Sequence, residues 1–202
     1  GAGGNANIVS EIIEKKFKIE GFISNKKELH RKKKIFLENE FLKKYKKKNI
    51  IITVGENKDR LKIFKKFEKY GHNFPNVIHN SACISKSANI GIGNIIMPNV
   101  VINSNARIGN FNLINTSSII EHDCYIDSFV SISPKSVVCG NCKLHEGVFL
   151  GANTCIIHNI EIGEWSVVGS CSNVIKNIKK KTINFGNPSK TIKKINKNYK
   201  VL

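Results

Sequence analysis

Side chains able to move a proton, bind a metal or attack a carbonyl are sparse in this 202-residue chain. Six histidines (His30, His72, His79, His122, His145, His158) and six cysteines (Cys83, Cys124, Cys139, Cys142, Cys155, Cys171) hold most of that capacity. His122 alone is flanked on both sides by carboxylates, in Glu121-His122-Asp123. A carboxylate bound to one ring nitrogen fixes the tautomer and raises the basicity of the other, which equips the ring as a general base near neutral pH. Metal chemistry is not expected. Cys139-x-x-Cys142 has no second pair to complete a four-thiolate site, and no two histidines stand in the His-x-x-x-x-His spacing of a three-histidine zinc centre.

What positions His122 is a period of six. Cut into hexads from Val77, the chain carries Ile, Leu or Val at the second place of all 17 hexads, from Ile78 to Val174, without an insertion. Such a period marks a parallel β-helix: each hexad makes a short strand and a corner, three hexads close a triangular coil, and coils stack about 4.8 Å apart. The three-and-four spacing of a helix is absent. The sixth place also points inward and holds mostly small residues, such as Ala82, Ala88, Cys124 and Cys142. Gly or Asn after the aliphatic (Gly91, Asn103, Gly109, Asn115, Gly151, Gly163, Gly169) is expected to serve corner backbone with unusual dihedrals. Positions 18 apart fall one above another, so Ser104, His122, Gly140, His158 and Lys176 form one corner column. His122 therefore faces outward below a residue without a side chain, which leaves room for a ligand against the backbone. Cys142 turns inward while Cys139 sits on the corner.

Charge is distributed as unevenly as the period. The chain carries a net +18, but residues 1–75 carry +11, residues 76–172 carry −2 and residues 173–202 carry +9. Three parts follow: an N-terminal block over 1–75, the hexad coil over 76–178 and a basic tail over 179–202. The lysine-rich ends read as solvated faces whose positive field attracts small anions such as nucleotide phosphates or coenzyme A. The aromatic residues form no RNA- or zinc-finger-like pattern, so no nucleic-acid partner is expected. No run of about 18 apolar residues exists, and the expectation is a soluble, cytoplasmic protein without membrane insertion.

The N-terminal block opens on Gly1-Ala2-Gly3-Gly4-Asn5-Ala6 and an amphipathic helix through Ile13. An extended Ile19–Ile23 segment, a buried strand over Ile50–Val54 and a helix from about Asn57 to Tyr70 follow. Alternating strand and helix predict a small α/β, Rossmann-like unit. Backbone N–H groups of a glycine-rich turn at a helix start can hold phosphate, and a strand is expected before such a turn. Ser24 and Asn25 stand where a nicotinamide dinucleotide site wants an acidic residue, which disfavours that cofactor.

The stretch Ile114-Asn115-Thr116-Ser117-Ser118-Ile119-Ile120-Glu121-His122-Asp123-Cys124 resembles the N-T-x-x-x-[IV]-E-H-[DE]-C signature of the NeuD/PglD family of bacterial sugar O- and N-acyltransferases. Gly1-Ala2-Gly3-Gly4, Val54-Gly55-Glu56-Asn57 with Arg60, Val77-Ile78-His79-Asn80-Ser81-Ala82 and Gly186-Asn187-Pro188-Ser189-Lys190 resemble the same family in order and spacing. The resemblance implies an α/β N-terminal Rossmann-like domain followed by a left-handed parallel β-helix of hexapeptide repeats. It implies a homotrimer with active sites between subunits, moving acetyl from acetyl-CoA to the amine of a nucleotide-linked amino sugar for surface glycan synthesis. His122 is then the general base and Asp123 holds its ring. Asn115, Gly3, Gly4, Asn5, Gly55 and Asn57 meet the acceptor, and Ser131, Gly140, Gly151, Gly169 and Pro188 meet coenzyme A.

Two positions depart from the family pattern. Ser131 stands where some members carry a second histidine nine residues beyond the base, and UDP-sugar enzymes carry acidic residues near Ser24 and Asn25. O-acetylation of a sialic-acid-type sugar and a silent trimeric β-helix scaffold are the competing readings.

Overall fold

The computed structural model describes residues 3–25, 34–196 and 199. The hexads fold as their period requires. Seventeen two-residue strands, β3 (Val77–Ile78) to β19 (Asn173–Val174), follow one another at six-residue intervals and pair in parallel with partners 18 residues away, such as Ile119 with Val137 and Tyr125 with Lys143. They make the three faces of a left-handed parallel β-helix. Second-place side chains fill it: Ile96, Ile114, Ile120, Ile126, Leu144, Leu150, Ile156 and Ile162 are fully buried. Each contributes about 1.5–3 kcal/mol.

The left-handed backbone needed at each corner falls on the fifth place of the hexad, as at Asn105, Asp123 and Asn141 (φ 58–60°). The third-place glycines were expected there, but Gly109 and Gly163 are not among the positive-φ residues. Their need is clearance. A Cβ on Gly109 would come 2.8 Å from the carbonyl carbon of Asp127 in the next coil.

The outward, first-place side chains give each face its own character. One face carries Val77, Ile95, Leu113, Ser131 and Val167, all buried, and is called the docked face. A second carries half-buried Val101, Ile119, Val137 and Cys155 and is called the apolar face. The third carries exposed Asn89, Arg107, Tyr125, Lys143 and Glu161 and is the polar face. The basic tail does not stand apart from the coil. Residues Thr182–Phe185 (β20) pair in parallel with Val167–Val168, and Lys190–Lys194 (β21) turns back antiparallel, extending the docked face.

In the N-terminal block, α1 (Gly4–Ile13) lays Val9, Ile12 and Ile13 against the first coil, where Ile84 and Ile90 are only partly covered by their own strands. Strands β1 (Phe22–Ser24) and β2 (Ile35–Leu37) form a two-stranded parallel sheet, followed by α2 (Glu38–Lys44) and by α3 (Asn57–Phe67). The predicted strand over Ile50–Val54 does not form. That segment is held by one parallel bridge between Asn49 and Asn73, and Ile51 and Ile52 are wedged into the two apolar clusters. Strand β2 and α2 have no counterpart in the sequence reading, because their lysine-dense surroundings blur any apolar period. Among the described residues no helix is long and apolar enough to cross a membrane.

Candidate active site

His122 lies on the corner between the apolar and polar faces. The corner turns because Asp123 takes φ 60°, a conformation that Asp tolerates better than most residues, and this turn brings its carboxylate back onto the preceding ring. His122 Nδ1 lies 2.8 Å from Asp123 Oδ2, and Asn105 Nδ2 in the coil below donates to Asp123 Oδ1 at 3.2 Å. The hydrogen bond from His122, then that from Asn105, hold the Asp123 carboxyl below its usual pKa. An ionised carboxylate only accepts, so Nδ1 carries the proton and Nε2 keeps the lone pair in the neutral ring.

That free nitrogen faces glycine. A Cβ on Gly140 would lie 2.7 Å from both Cε1 and Nε2 of His122, so the column places a bare backbone against the basic atom. The Gly140 carbonyl accepts from Asn159 N–H at 3.1 Å, while its own N–H has no partner among the described residues. One residue before the ring in sequence, Glu121 Oε2 accepts from Asn103 Nδ2 at 2.8 Å. Asn103 and Asn105 thus grip Glu121 and Asp123 from one coil below, and the His122 side chain is 59% exposed.

The nearby thiols point away from nucleophilic or metal chemistry. Cys142 is fully buried inside the coil and Cys139 sits on the apolar side of the corner, so the two do not converge. Burial, then the neighbouring Cys155 and Cys142, push the Cys139 thiol up and keep it protonated.

The remaining expected residues fall in several places. Gly3 caps α1 without a side-chain bond, and Gly3 and Gly4 have open space around them, next to a first turn holding Asn5 and no acidic residue. Asn115 lies on the adjacent corner of the same coil, separated from His122 by the strand Ile119–Ile120, with its Oδ1 accepting from Thr116 N–H. Gly151 and Gly169 share the Asn115 column. Their N–H groups donate to Val168 and Asn184 and their carbonyls accept from Thr154 Oγ1, so their backbone polar groups are engaged within the coil. Pro188, after a cis peptide bond, is exposed in the turn between β20 and β21.

Asn57 and Ser131 are buried where the N-terminal block meets the coil. Asn57 is 3% exposed; its Oδ1 accepts from Ser131 Oγ at 2.6 Å and from Arg60 at 2.9 Å, and its amide donates to the carbonyls of Gly147 and Val148. Arg60, 2% exposed, is the centre of this knot. It donates to the carbonyls of Val54, Gly55, Phe111, Phe129 and Val130 and to Ser131 Oγ. Burial lowers its pKa to about 10, with Glu56 opposing, so it stays charged at neutral pH. Asn57, Gly55 and Ser131 are therefore fastenings between the N-terminal block and the coil. The sequence signal was the Val54-Gly55-Glu56-Asn57 run with Arg60, whose partners on the coil have no mark of their own.

Comparison with known proteins agrees with this two-part plan. The PglD N-terminal domain family matches residues 1–67, and the six-repeat bacterial transferase hexapeptide family matches residues 141–176. PerB from Caulobacter crescentus, solved with CoA and GDP-perosamine, superposes with a TM-score of 0.89 over 96% of this chain and 95% of that chain, at 25% identity. The acetyltransferase domain of PglB from Neisseria gonorrhoeae, solved with acetyl coenzyme A, gives 0.90 over 95% and 96%, also at 25% identity. The chain thus joins a region similar to the PglD N-terminal domain to hexapeptide repeats. WeeI from Acinetobacter baumannii shares the fold, with a TM-score of 0.88 over 95% and 97% at 23% identity. No curated protein matches the sequence. These superpositions cover 95–96% of the chain, so the two-part plan extends over nearly all of it.

Proposed function

We propose that the protein transfers the acetyl group of acetyl-CoA to the amine of a nucleotide-linked amino sugar, with His122 as general base. The observation that carries this reading is the imidazole whose Nδ1 is tied to ionised Asp123 and whose Nε2 is presented to the bare backbone of Gly140. The sugar amine, as its free base, attacks the thioester carbonyl and forms the C–N bond. His122 Nε2 takes the proton the nitrogen loses, the C–S bond breaks, and the proton passes to the departing CoA thiolate. In this reading the Gly140 N–H, without a partner among the described residues, donates to the oxyanion that develops on the carbonyl. A thioester is already activated, so alignment and proton removal supply the catalysis, the base alone accounting for about 10²- to 10⁴-fold. The protonated Cys139 supports direct transfer over an acyl-cysteine intermediate.

The reading extends to a homotrimer joined through the apolar face. Its half-buried Val101, Ile119 and Val137 contrast with the charged side chains of the polar face. Threefold packing through that face brings the His122 edge of one subunit toward the Asn115 edge of the next, which gives Asn115 access to an acceptor that its own subunit's His122 cannot share. The open α1 start at Gly3 and Gly4 suits a nucleotide diphosphate, as in the GDP-perosamine complex of PerB.

Release of free CoA from acetyl-CoA, measured over a panel of UDP-, dTDP-, GDP- and CMP-linked amino sugars and their hydroxy analogues, tests the function. Turnover with at least one amine and none with the hydroxy analogues is expected; a protein that acetylates hydroxyls alone is a different enzyme.

A further inference from the structure

We infer that Glu121 docks the acceptor's ammonium group and makes the site select amines over hydroxyls, an inference that rests on the acetyl-transfer reading above. Lys and Arg outnumber Asp and Glu 33 to 15 in this chain, and several described carboxylates are paired with a cationic or titratable side chain: Glu20 with Lys48, Glu38 with Lys66, Asp59 with Lys62, Glu161 with His145. Glu121 is not among them. Its hydrogen-bond partner is the neutral amide of Asn103, which holds Oε2 at 2.8 Å, and among the described residues no Lys or Arg forms an ion pair with it. Above it stands the Cys139 thiol, which feels its negative charge but offers no cation. The carboxylate is therefore fixed in place, half-buried and electrically uncompensated, one residue from the catalytic ring.

Asp123 is not equivalent. Its Oδ2 is taken by His122 and its Oδ1 by Asn105, so both oxygens serve to aim the base. Glu121 keeps Oε1 for a ligand.

The chemistry of the acceptor matches this arrangement. An aliphatic sugar amine is largely protonated near neutral pH and arrives as R–NH3+, whereas a hydroxyl arrives neutral. Glu121 Oε1 accepts a charge-assisted hydrogen bond from the ammonium, one residue away in sequence from the His122 base. One proton leaves the ammonium to solvent before attack, and the second is the one His122 carries to the CoA thiolate. A hydroxyl gains little from Glu121, because a neutral donor forms the weaker bond.

The test is Glu121→Gln, which retains an oxygen for Asn103, assayed with Glu121→Asp on the intact protein and the amino sugar that the panel identifies. For Glu121→Gln the expected result is a rise in KM for the amine of about 10- to 100-fold, with kcat and the KM for acetyl-CoA changed less than about 3-fold. The ratio of amine to hydroxyl turnover falls in step, and Glu121→Asp recovers part of the KM. A wild-type KM for the amine in Glu121→Gln overturns the inference while leaving the acetyl-transfer reading intact. A uniform loss of kcat with unchanged KM also overturns it, since that marks Glu121 as support for His122. Wild-type protein that acetylates no amine overturns both.

Discussion

Two corners of the same coil use one backbone for opposite ends. At the His122 corner the left-handed residue is Asp123 (φ 60°), and at the corner between the polar and docked faces it is Phe129 (φ 60°), with Phe111 below it (φ 56°). Asp123 turns its carboxylate onto an exposed imidazole. Phe111 and Phe129 instead stack on each other at 5.4 Å and receive Phe64 of α3, joining an aromatic cluster with Phe41, Phe67 and Phe74. A bulky residue at positive φ is strained, and here the strain is offset by apolar burial and by Arg60, which satisfies the Phe111 and Phe129 carbonyls. The repeat thus supplies equivalent corners, and the side chains decide which becomes a fastening and which is left open for chemistry.

That division can be broken from either side. His122→Ala should lower turnover by about 10²- to 10⁴-fold while stability moves by less than about 0.5 kcal/mol, as for an exposed side chain, read by steady-state kinetics and urea unfolding. Full activity in that variant would falsify its role as base. Arg60→Ala is the mirror image: it strips a buried charge from at least five carbonyls and should cost about 3–5 kcal/mol in urea unfolding, with kcat of the remaining folded protein little changed. Equal stability of the variant would mean that aromatic packing alone holds the block to the coil. The smallest effect belongs to His72, packed against Phe41 and Phe67, with Nδ1 accepting from Lys48 N–H and Nε2 buried without a partner. Burial lowers its pKa from 6.5, so below that pH the unfolded chain binds more protons than the folded one. Stability should fall as pH drops from 6.5 toward the depressed pKa and be unaffected by His72 above 6.5. His72→Phe should flatten that slope in unfolding curves between pH 7 and 5, and an unchanged slope would assign it to other groups.

The coil and the placement of His122 were legible because a strict period of six fixes both which side chains point inward and which positions lie 18 residues above one another. Gly140 could be set over His122 from the numbering alone. Other features were misread for reasons equally physical. The third-place glycines looked like dihedral switches, yet their role is to let the next coil's backbone approach, a contact invisible along one strand. Ile50–Val54 had a strand's composition but found no sheet edge to join. Asn57 and Ser131 read as ligand contacts in one dimension, and their burial and their bonds to Arg60 became visible only in the fold.

The sequence by itself determined the β-helix, its register, the His122 column and the near-neutral centre between two basic ends, since each follows from local period and charge. Tertiary structure alone decided that Arg60 ties Asn57 to Ser131 across some seventy residues, that the three faces become docked, apolar and polar, and that Glu121 is left with a neutral partner in a cation-rich chain. Those outcomes depend on which distant surfaces meet, and a repeat that makes all corners alike carries no record of which one will be covered.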